Sequence, residues 1–308
     1  MITLKQLRYF SALARHRHFG RAAEECHVSQ PALSLQIQEL EAVLGCQLVE
    51  RRRHAVSLTE TGAEVAERAQ RILLEANDLV DHARRRPGLL GGRLDLGVIP
   101  SIAPYLLPAA LPLLQKRHPD LDLRLRETQT ATLLDEVLGG QLDVALLSLP
   151  VEQAGLETLA LFDDPFLLAM PASAGLAPSQ ALSGETLLLL EEGHCLREQA
   201  LSLCRLPQGG GRRQYGASSL STIMQMVANG FGSTLLPTMA VPVELRRGMA
   251  VKLYRFNEPA PSRSIGLAWR RTSPRKADFE ALARIFSEIA GSRPSGGIVA
   301  EPEPISLG

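Results

Sequence analysis

Aromatic residues are scarce, at 4% of 308 positions. That leaves too few rings for an RNA-stacking sheet or a large aromatic ligand box. Four cysteines, widely separated, cannot staple a small secreted fold. Neither Cys26 nor Cys46 has a Cys or His partner at zinc-ligand spacing, so no metal and no cofactor is expected. Net charge is also lacking: 33 Lys+Arg balance 33 Asp+Glu, so any nucleic-acid surface must be local. The charge-free run Leu96–Leu114 is interrupted by Pro100, Pro104, Pro108 and Pro112 and makes a poor membrane helix. Met1–Arg8 has no apolar core of a secretion signal. The expectation is a soluble, cytoplasmic chain of two or three domains, with no membrane partner and with reduced thiols.

What is present is unevenly placed. Residues 1–90 hold 13 Lys+Arg, 11 Asp+Glu and five of the seven histidines. Leu4, Leu7, Phe10 and Ala14 have helical spacing, and a second short helix fits Arg21–Cys26. Ser29 is a good N-cap, and Pro31 suits the first turn of a third helix. That helix carries Leu33, Ile37, Leu40 and Leu44 and stops at Gly45. Residues 48–58 read as a hairpin with Arg51, Arg52 and Arg53 at its tip. The pattern is a winged helix-turn-helix over residues 1–58. Gln30, Ser34 and Gln38 are then the candidate base readers, and Arg21 and Arg51 to Arg53 the phosphate contacts. On pattern alone, a solvated basic helical hairpin remains the alternative.

Residues 59–90 read as a long helix and a hinge. Val65, Ala69, Ile72, Leu79 and Ala83 form a stripe suited to self-association, and Pro87-Gly88 and Gly91-Gly92 end the segment. From Arg93 strands and helices alternate, which predicts α/β layers with parallel sheets. Strands are expected at 94–98, 121–126, 143–147, 166–170, 187–190 and 265–269, and Thr130 is expected to cap a helix. Residues 293–308 read as a disordered tail. The fold class expected overall is α+β, with 91–308 as a regulatory domain.

The run Ala22-Ala23-Glu24-Glu25-Cys26-His27-Val28-Ser29-Gln30-Pro31-Ala32-Leu33-Ser34 resembles the N-terminal signature of LysR-type transcriptional regulators. Leu40-Glu41-X-X-Leu44-Gly45 and Thr59-X-Thr61-X-Gly62 fit the same signature, and the likeness extends over the whole chain in length and layout. It implies double-stranded promoter DNA as partner, a dimerising linker helix, and a two-lobed sensor similar to periplasmic binding proteins. Lobe I would comprise about 91–162 and 264–292, and lobe II about 163–263.

Cys26 reads as a small buried filler and Cys46 as structural or exposed. Cys195 and Cys204 stand apart from them. Gly193 precedes a helix expected to begin near Cys195, so the thiol meets the positive end of a helix dipole, with His194 and Arg197 close in sequence. Glu191, Glu192 and Glu198 oppose these effects, and sequence does not decide the balance. If 195–204 were one helix, the two Cα atoms would lie ~13 Å apart, whereas a disulfide needs them within about 7 Å. Bonding would therefore require the segment to refold. The plainer alternative is two buried helix cysteines.

Gly193-His194-Cys195-Leu196-Arg197-X-Gln199-Ala200-X-X-X-Cys204 resembles the redox segment of the peroxide-sensing members of the LysR family. Val98-Ile99-Pro100-Ser101-X-X-Pro104-Tyr105-Leu106-Leu107-Pro108 and Glu127-Thr128-Gln129-Thr130 carry the same likeness. It implies that Cys195 reacts with hydrogen peroxide and Cys204 resolves it as a disulfide. Ser101, Thr130 and His194 would line the peroxide pocket, with Arg197 and Arg263 supporting the thiolate. A homotetramer, RNA polymerase and a glutaredoxin- or thioredoxin-type reductant follow as implied partners. Two departures are Ser101 where the family often has Thr, and Ala131 where a His follows in some relatives. Gly209-Gly210-Gly211 should be flexible. The rival readings are a LysR-type regulator with a non-redox effector between its lobes and a thiol peroxidase. The helix-turn-helix argues against an enzyme.

Overall fold

The computed structural model describes residues 1–52, 55–84, 88–175, 178–182, 187–203 and 217–292; of 51, 52, 55, 81–84, 179 and 180 only the backbone is described. Arg53, Cys204, the Gly209–Gly211 run and the 293–308 segment lie outside the described residues. The chain divides into two compact units, Met1–Arg84 and Arg85–Gly308.

In the first unit three helices, α1 (Leu4–His16), α2 (Phe19–Glu25) and α3 (Gln30–Leu44), precede a hairpin of β1 (Val49–Arg52) and β2 (Ala55–Leu58) and a long helix α4 (Glu60–Arg84). Each start has a local cause. Thr3 and Gln6 form a reciprocal capping box on α1. The Ser29 hydroxyl accepts from the Ala32 amide at 3.4 Å, and the Thr59 hydroxyl accepts from Gly62 at 2.9 Å. Helix α2 begins two residues before the predicted Arg21, because His18 supplies the cap: its Nδ1 accepts from the Arg21 amide at 3.2 Å. Gly45 ends α3 in the left-handed conformation, φ 70°. The core joins Leu7, Phe10 and Leu13 to Leu33, Ile37, Leu40 and Leu48. The predicted stripe on α4 is split. Val65 and Ala69 pack into this core, while Ile72 and Leu79 stay exposed.

The second unit is built on one curled, seven-stranded sheet. Its strands are β3 (Gly92–Val98), β4 (Leu121–Glu127), β5 (Val144–Leu149), β6 (Leu156–Pro171), β7 (Thr234–Pro237), β8 (Val251–Arg255) and β9 (Ser262–Arg270), in the order β4-β3-β5-β9-β6-β7, with β8 beside β6. Only β4, β3 and β5 run parallel; β9 is antiparallel to both β5 and β6, and β7 and β8 are antiparallel to β6. The expectation of parallel sheets therefore holds for β4-β3-β5 and is corrected for the other strands. Long β6 pairs with β9 over Leu156–Pro165, then with β7 and β8 from Phe166 onward. The sheet passes from one lobe to the other at that change of partner. Residues 187–190 do not form the predicted strand; Leu187 and Leu190 make single bridges to Ser233 and Ala217.

Helices α5 (Ala103–Arg117), α6 (Thr130–Leu138), α8 (Cys195–Leu203), α9 (Leu220–Ala228) and α11 (Lys276–Ser292) carry most of the remaining packing, with short α7 (Pro178–Ala181) and α10 (Val241–Glu244) between them. Pro108 and Pro112 lie inside α5 without breaking it. With Pro104 they recur every fourth residue on an exposed face, so the carbonyls they leave unbonded meet water. Among the described residues no helix is long and apolar enough to cross a membrane.

Candidate functional site

Gln30, Pro31 and Gln38 are exposed on α3, opposite the buried Leu33, Ile37 and Leu40; Ser34 is half-buried. Arg21 is exposed on α2. Ser29 and Pro31 set the first turn of α3, which places Gln30 at its start and Gln38 two turns further along the same helix. Arg51 and Arg52 lie on β1, the first strand of the hairpin. This unit presents donors and acceptors of the kind that read base edges on a helix narrow enough for a major groove.

The second cluster surrounds Cys195, a free, half-buried thiol at the first residue of α8. Gly193 creates the approach. It has φ +87°, and a Cβ there would meet Gln129 Oε1 at 2.5 Å. Gln129 donates from Nε2 to the Glu192 carbonyl at 3.3 Å. The turn before α6 is thereby drawn against the start of α8, and Thr130 comes to face the sulfur. The positioning role of Gln129 depends on this contact across the fold, which sequence spacing does not encode.

Neither hydroxyl of the pair Ser101 and Thr130 caps a helix. The N-cap residues of α5 and α6 are Ile102 and Gln129, and neither makes a side-chain cap bond. The expectation that Thr130 caps its helix is corrected; it is the first helical residue. Its buried Oγ1 has no aligned hydrogen-bond partner, although the hydroxyl stands near enough to the Cys195 sulfur to favour the thiolate. The buried Ser101 hydroxyl accepts from Arg263 Nη1 at 2.9 Å and also acts on Cys195.

Arg263 is the charge at the centre of this cluster. Its side chain is fully buried and pairs with Asp164 at 3.0 Å. It also donates to the Ser101 carbonyl at 2.9 Å and to the Met239 sulfur at 3.2 Å. Asp164 in turn accepts from the Met239 amide at 2.9 Å. Burying an arginine requires such complete pairing. Burial pushes the Cys195 thiol up, and Arg263 is the strongest opposing influence, followed by Thr130, Ser101 and the Leu196 amide. The net direction is upward.

Sequence proximity had nominated His194 and Arg197 as the positive neighbours, and the structure revises this. Arg197 donates to the Leu190 carbonyl at 3.1 Å, and the strongest charge acting on the sulfur is Arg263. His194 is buried next to Cys195; burial lowers its pKa, opposed by Glu191, so the ring is neutral near pH 7. Gln199 lies one turn beyond Cys195 on α8. Its Nε2 donates to Ser148 at 2.6 Å, and its buried Oε1 has no partner. A glutamine four residues after the cysteine was the only sequence signal for it.

Cys195, Thr130, Gln199 and Arg263 open on a cleft of about 850 Å³ within the second unit. Cys26 is buried and its thiol is raised by burial, with Glu25 adding to the effect, while Cys46 is half-buried. Among the described residues no cluster of His, Cys, Asp or Glu is arranged to hold a metal.

Residues 4–63 match the model of bacterial regulatory helix-turn-helix proteins of the lysR family, and residues 87–290 match the LysR substrate-binding domain. A probable hydrogen peroxide-inducible genes activator of Streptomyces viridosporus is 45% identical over 298 residues, spanning 95% of this chain and 96% of that protein. The DNA-binding transcriptional dual regulator OxyR of Escherichia coli is 42% identical over 287 residues, 92% of this chain and 94% of its own. Among solved structures, a full-length OxyR variant from Pseudomonas aeruginosa is similar with TM-score 0.69 and 37% identity, over 93% of this chain and 95% of that one. A Corynebacterium glutamicum OxyR mutant with hydrogen peroxide bound has TM-score 0.64 and 37% identity, over 94% and 92%.

Proposed function

The chain belongs to the LysR family of bacterial helix-turn-helix regulators, and on that premise we propose that it is a transcriptional regulator that senses hydrogen peroxide through Cys195. One arrangement carries this reading: a free thiol at a helix start, faced by the Ser101 and Thr130 hydroxyls and a buried Arg263, and open to a cleft. The unsatisfied Thr130 Oγ1 and Gln199 Oε1 are polar atoms that a bound peroxide would satisfy.

The Cys195 thiolate attacks one peroxide oxygen and the O–O bond breaks. Hydroxide leaves and takes a proton to become water, and a sulfenic acid remains on Cys195. Arg263, fixed by Asp164, holds negative charge near the sulfur, and the Thr130 and Ser101 hydroxyls steady the oxygens. His194, adjacent to Cys195 in sequence and neutral, is the candidate proton carrier for the leaving hydroxide.

Cys204 then attacks the sulfenic sulfur, releases water and forms a disulfide. Helix α8 must yield for this to happen. From Cys195 to Leu203 it rises ~12 Å. One further residue recovers at most about 3.8 Å, which leaves roughly 8 Å where a disulfide tolerates about 7 Å. Oxidation therefore becomes a change of shape. A dithiol reductant of the glutaredoxin or thioredoxin class reverses it, accepting the disulfide in exchange for two thiols.

Promoter DNA is read by α3 through Gln30, Ser34 and Gln38, with Arg21 and Arg51 to Arg53 on phosphates. The exposed Ile72 and Leu79 on α4 offer a contact for a second copy. A cytoplasmic dimer or tetramer that engages RNA polymerase, without turnover as an enzyme, completes the reading.

The test is alkylation of free thiols followed by mass spectrometry, before and after a pulse of peroxide, in wild type and Cys204→Ser. Wild type should gain an intramolecular Cys195–Cys204 disulfide and the variant a trapped sulfenic acid. A peroxide-treated wild type with Cys195 still alkylatable sinks the proposal and favours a non-redox effector in the cleft.

A further inference from the structure

The basic group Arg15, Arg17 and Arg21 surrounds the start of α2, and its members have different surroundings. Arg15 donates to Glu25 at 2.8 Å, and His16 meets the same carboxylate. Arg17 is exposed, and among the described residues its side chain makes no hydrogen bond or ion pair. Its backbone is unusual. Arg17 ends α1 in the left-handed conformation, φ 49°, with its amide donating to the Leu13 carbonyl at 2.8 Å. A Cβ makes that conformation costly, so glycine is the usual residue there. The end of α3 follows that rule with Gly45 at φ 70°. Among the described residues two others with a Cβ take positive φ, His27 and Leu90. Leu90 is fully buried, so packing offsets its strain. His27 is of a residue type found in this region several-fold more often than most. Arg17 has neither reason, since its long side chain stands in solvent.

The turn that carries Arg17 lies beside the start of α3. His18 follows it, and its ring caps α2 through the Arg21 amide. A Cβ on Gly20 would stand 3.0 Å from His18 Cε1 and 3.8 Å from Gln30 Oε1. The His18 ring and the Gln30 amide therefore flank one spot, and glycine at position 20 leaves it open. A duplex that meets Gln30 brings its sugar-phosphate strand over the helix that precedes α3.

We propose that Arg17 is a further phosphate contact of the DNA-binding unit, and that this contact is what a strained, non-glycine end of α1 provides. The proposal rests on the reading of α3 as the DNA-reading helix. Arg17 extends from the turn beside α3 rather than from α3 itself, which suits the DNA backbone and not a base edge. A guanidinium without a protein partner can present two N–H groups to two phosphate oxygens. The contact is blind to sequence and releases a counterion on binding. Its removal therefore has two effects of opposite sign. Glycine at position 17 relieves the helix end and weakens the hold on DNA.

The experiment uses the reduced full-length chain and a pool of random-sequence DNA duplexes, with binding read by fluorescence anisotropy across a salt series. Amide hydrogen exchange over α1 and α2 is measured by mass spectrometry on the same proteins. Arg17→Gly and Arg17→Asn should each weaken binding at least about fivefold at ~0.1 M salt and lower the slope of log K against log salt by about 0.9 per lost contact. Both residues tolerate the left-handed region, so α1 and α2 should exchange no faster than in wild type. Arg17→Lys keeps the charge and should retain most of the slope. An Arg17→Gly variant with wild-type affinity and slope overturns the proposal. So does a loss of affinity that comes with faster exchange in α1 and α2 in both variants, because the role is then structural. An Arg17→Lys variant as weak as Arg17→Gly overturns it too. If wild type itself binds the pool with no dependence on salt, the assignment of this unit's arginines to phosphates fails, and not Arg17 alone.

Discussion

In the N-terminal unit the residues assigned to DNA stand in solvent: Arg21, Gln30 and Gln38 are exposed, and local caps such as Ser29 and His18 set their helices. In the second unit the residues assigned to the thiol are enclosed. Ser101, His194 and Arg263 are buried, and Arg263 reaches Ser101 across 162 residues of sequence. The difference follows from the partners. A duplex brings its own dense negative charge, so mobile surface cations suffice and salt governs their effect. A peroxide carries no charge and little surface, so the protein must fix the electrostatics in advance, away from water.

The sharpest way to break that comparison is Arg263→Ala. It leaves Asp164 buried without its cation, and such a loss costs about 3–5 kcal/mol. Urea denaturation should register it, and the Cys195 thiol should rise further because its strongest opposing charge is gone. A loss below about 1 kcal/mol would mean that the enclosed network behaves like a surface pair.

A pH series probes the same enclosure without a mutation. Burial raises the Cys195 pKa, and the thiolate is the reactive form. Below the pKa its fraction grows about tenfold per pH unit, so the peroxide oxidation rate should climb steadily from pH 6 to 8. A rate already level over that window would place the pKa below it. For the exposed unit the matching variable is salt. Replacing Arg51 and Arg52 together with Ala should weaken binding to every DNA sequence and lower the slope of log K against log salt by about 0.9 per lost contact. Unchanged binding at low salt would remove these arginines from the interface.

Hydroxyls sharpen the comparison at the smallest scale. Ser29→Ala removes a working cap and should cost ~1 kcal/mol in thermal or urea unfolding. Thr130→Val removes a buried hydroxyl with no aligned partner. Its stability should stay within about 0.5 kcal/mol of wild type, while Cys195 oxidation slows by about tenfold. Equal stability losses in the two variants would show that both hydroxyls serve their helices.

Much of the first unit was legible because its causes are local. Ser29, Pro31 and Gly45 bound α3 by cap chemistry a few residues long, and Thr59 starts α4 in the same way. His18 was missed because an imidazole cap is an uncommon form of the same device. The second unit was legible mainly through resemblance. Proximity in sequence suggested Arg197 as the thiol's positive neighbour, yet that side chain turns to the Leu190 carbonyl. Thr130 was read as a cap because threonine before a helix usually is one, but Gln129 holds that place. The expectation of parallel sheets held for β3, β4 and β5 but failed for β6 to β9, which pair antiparallel, because hydrophobic period does not encode strand direction.

By itself the sequence determined the winged helix, the long helix after it and the start of α8 near Cys195, since capping and periodicity act over a few residues; the choice of Cys195 as the reactive cysteine came from the family resemblance. Only the tertiary structure decided which charge governs that cysteine, which hydroxyls face it and how much room lies before it. Those features depend on bringing β3, α6, α8 and β9 to one place, and the energy of a buried charge is set by neighbours in space rather than in sequence.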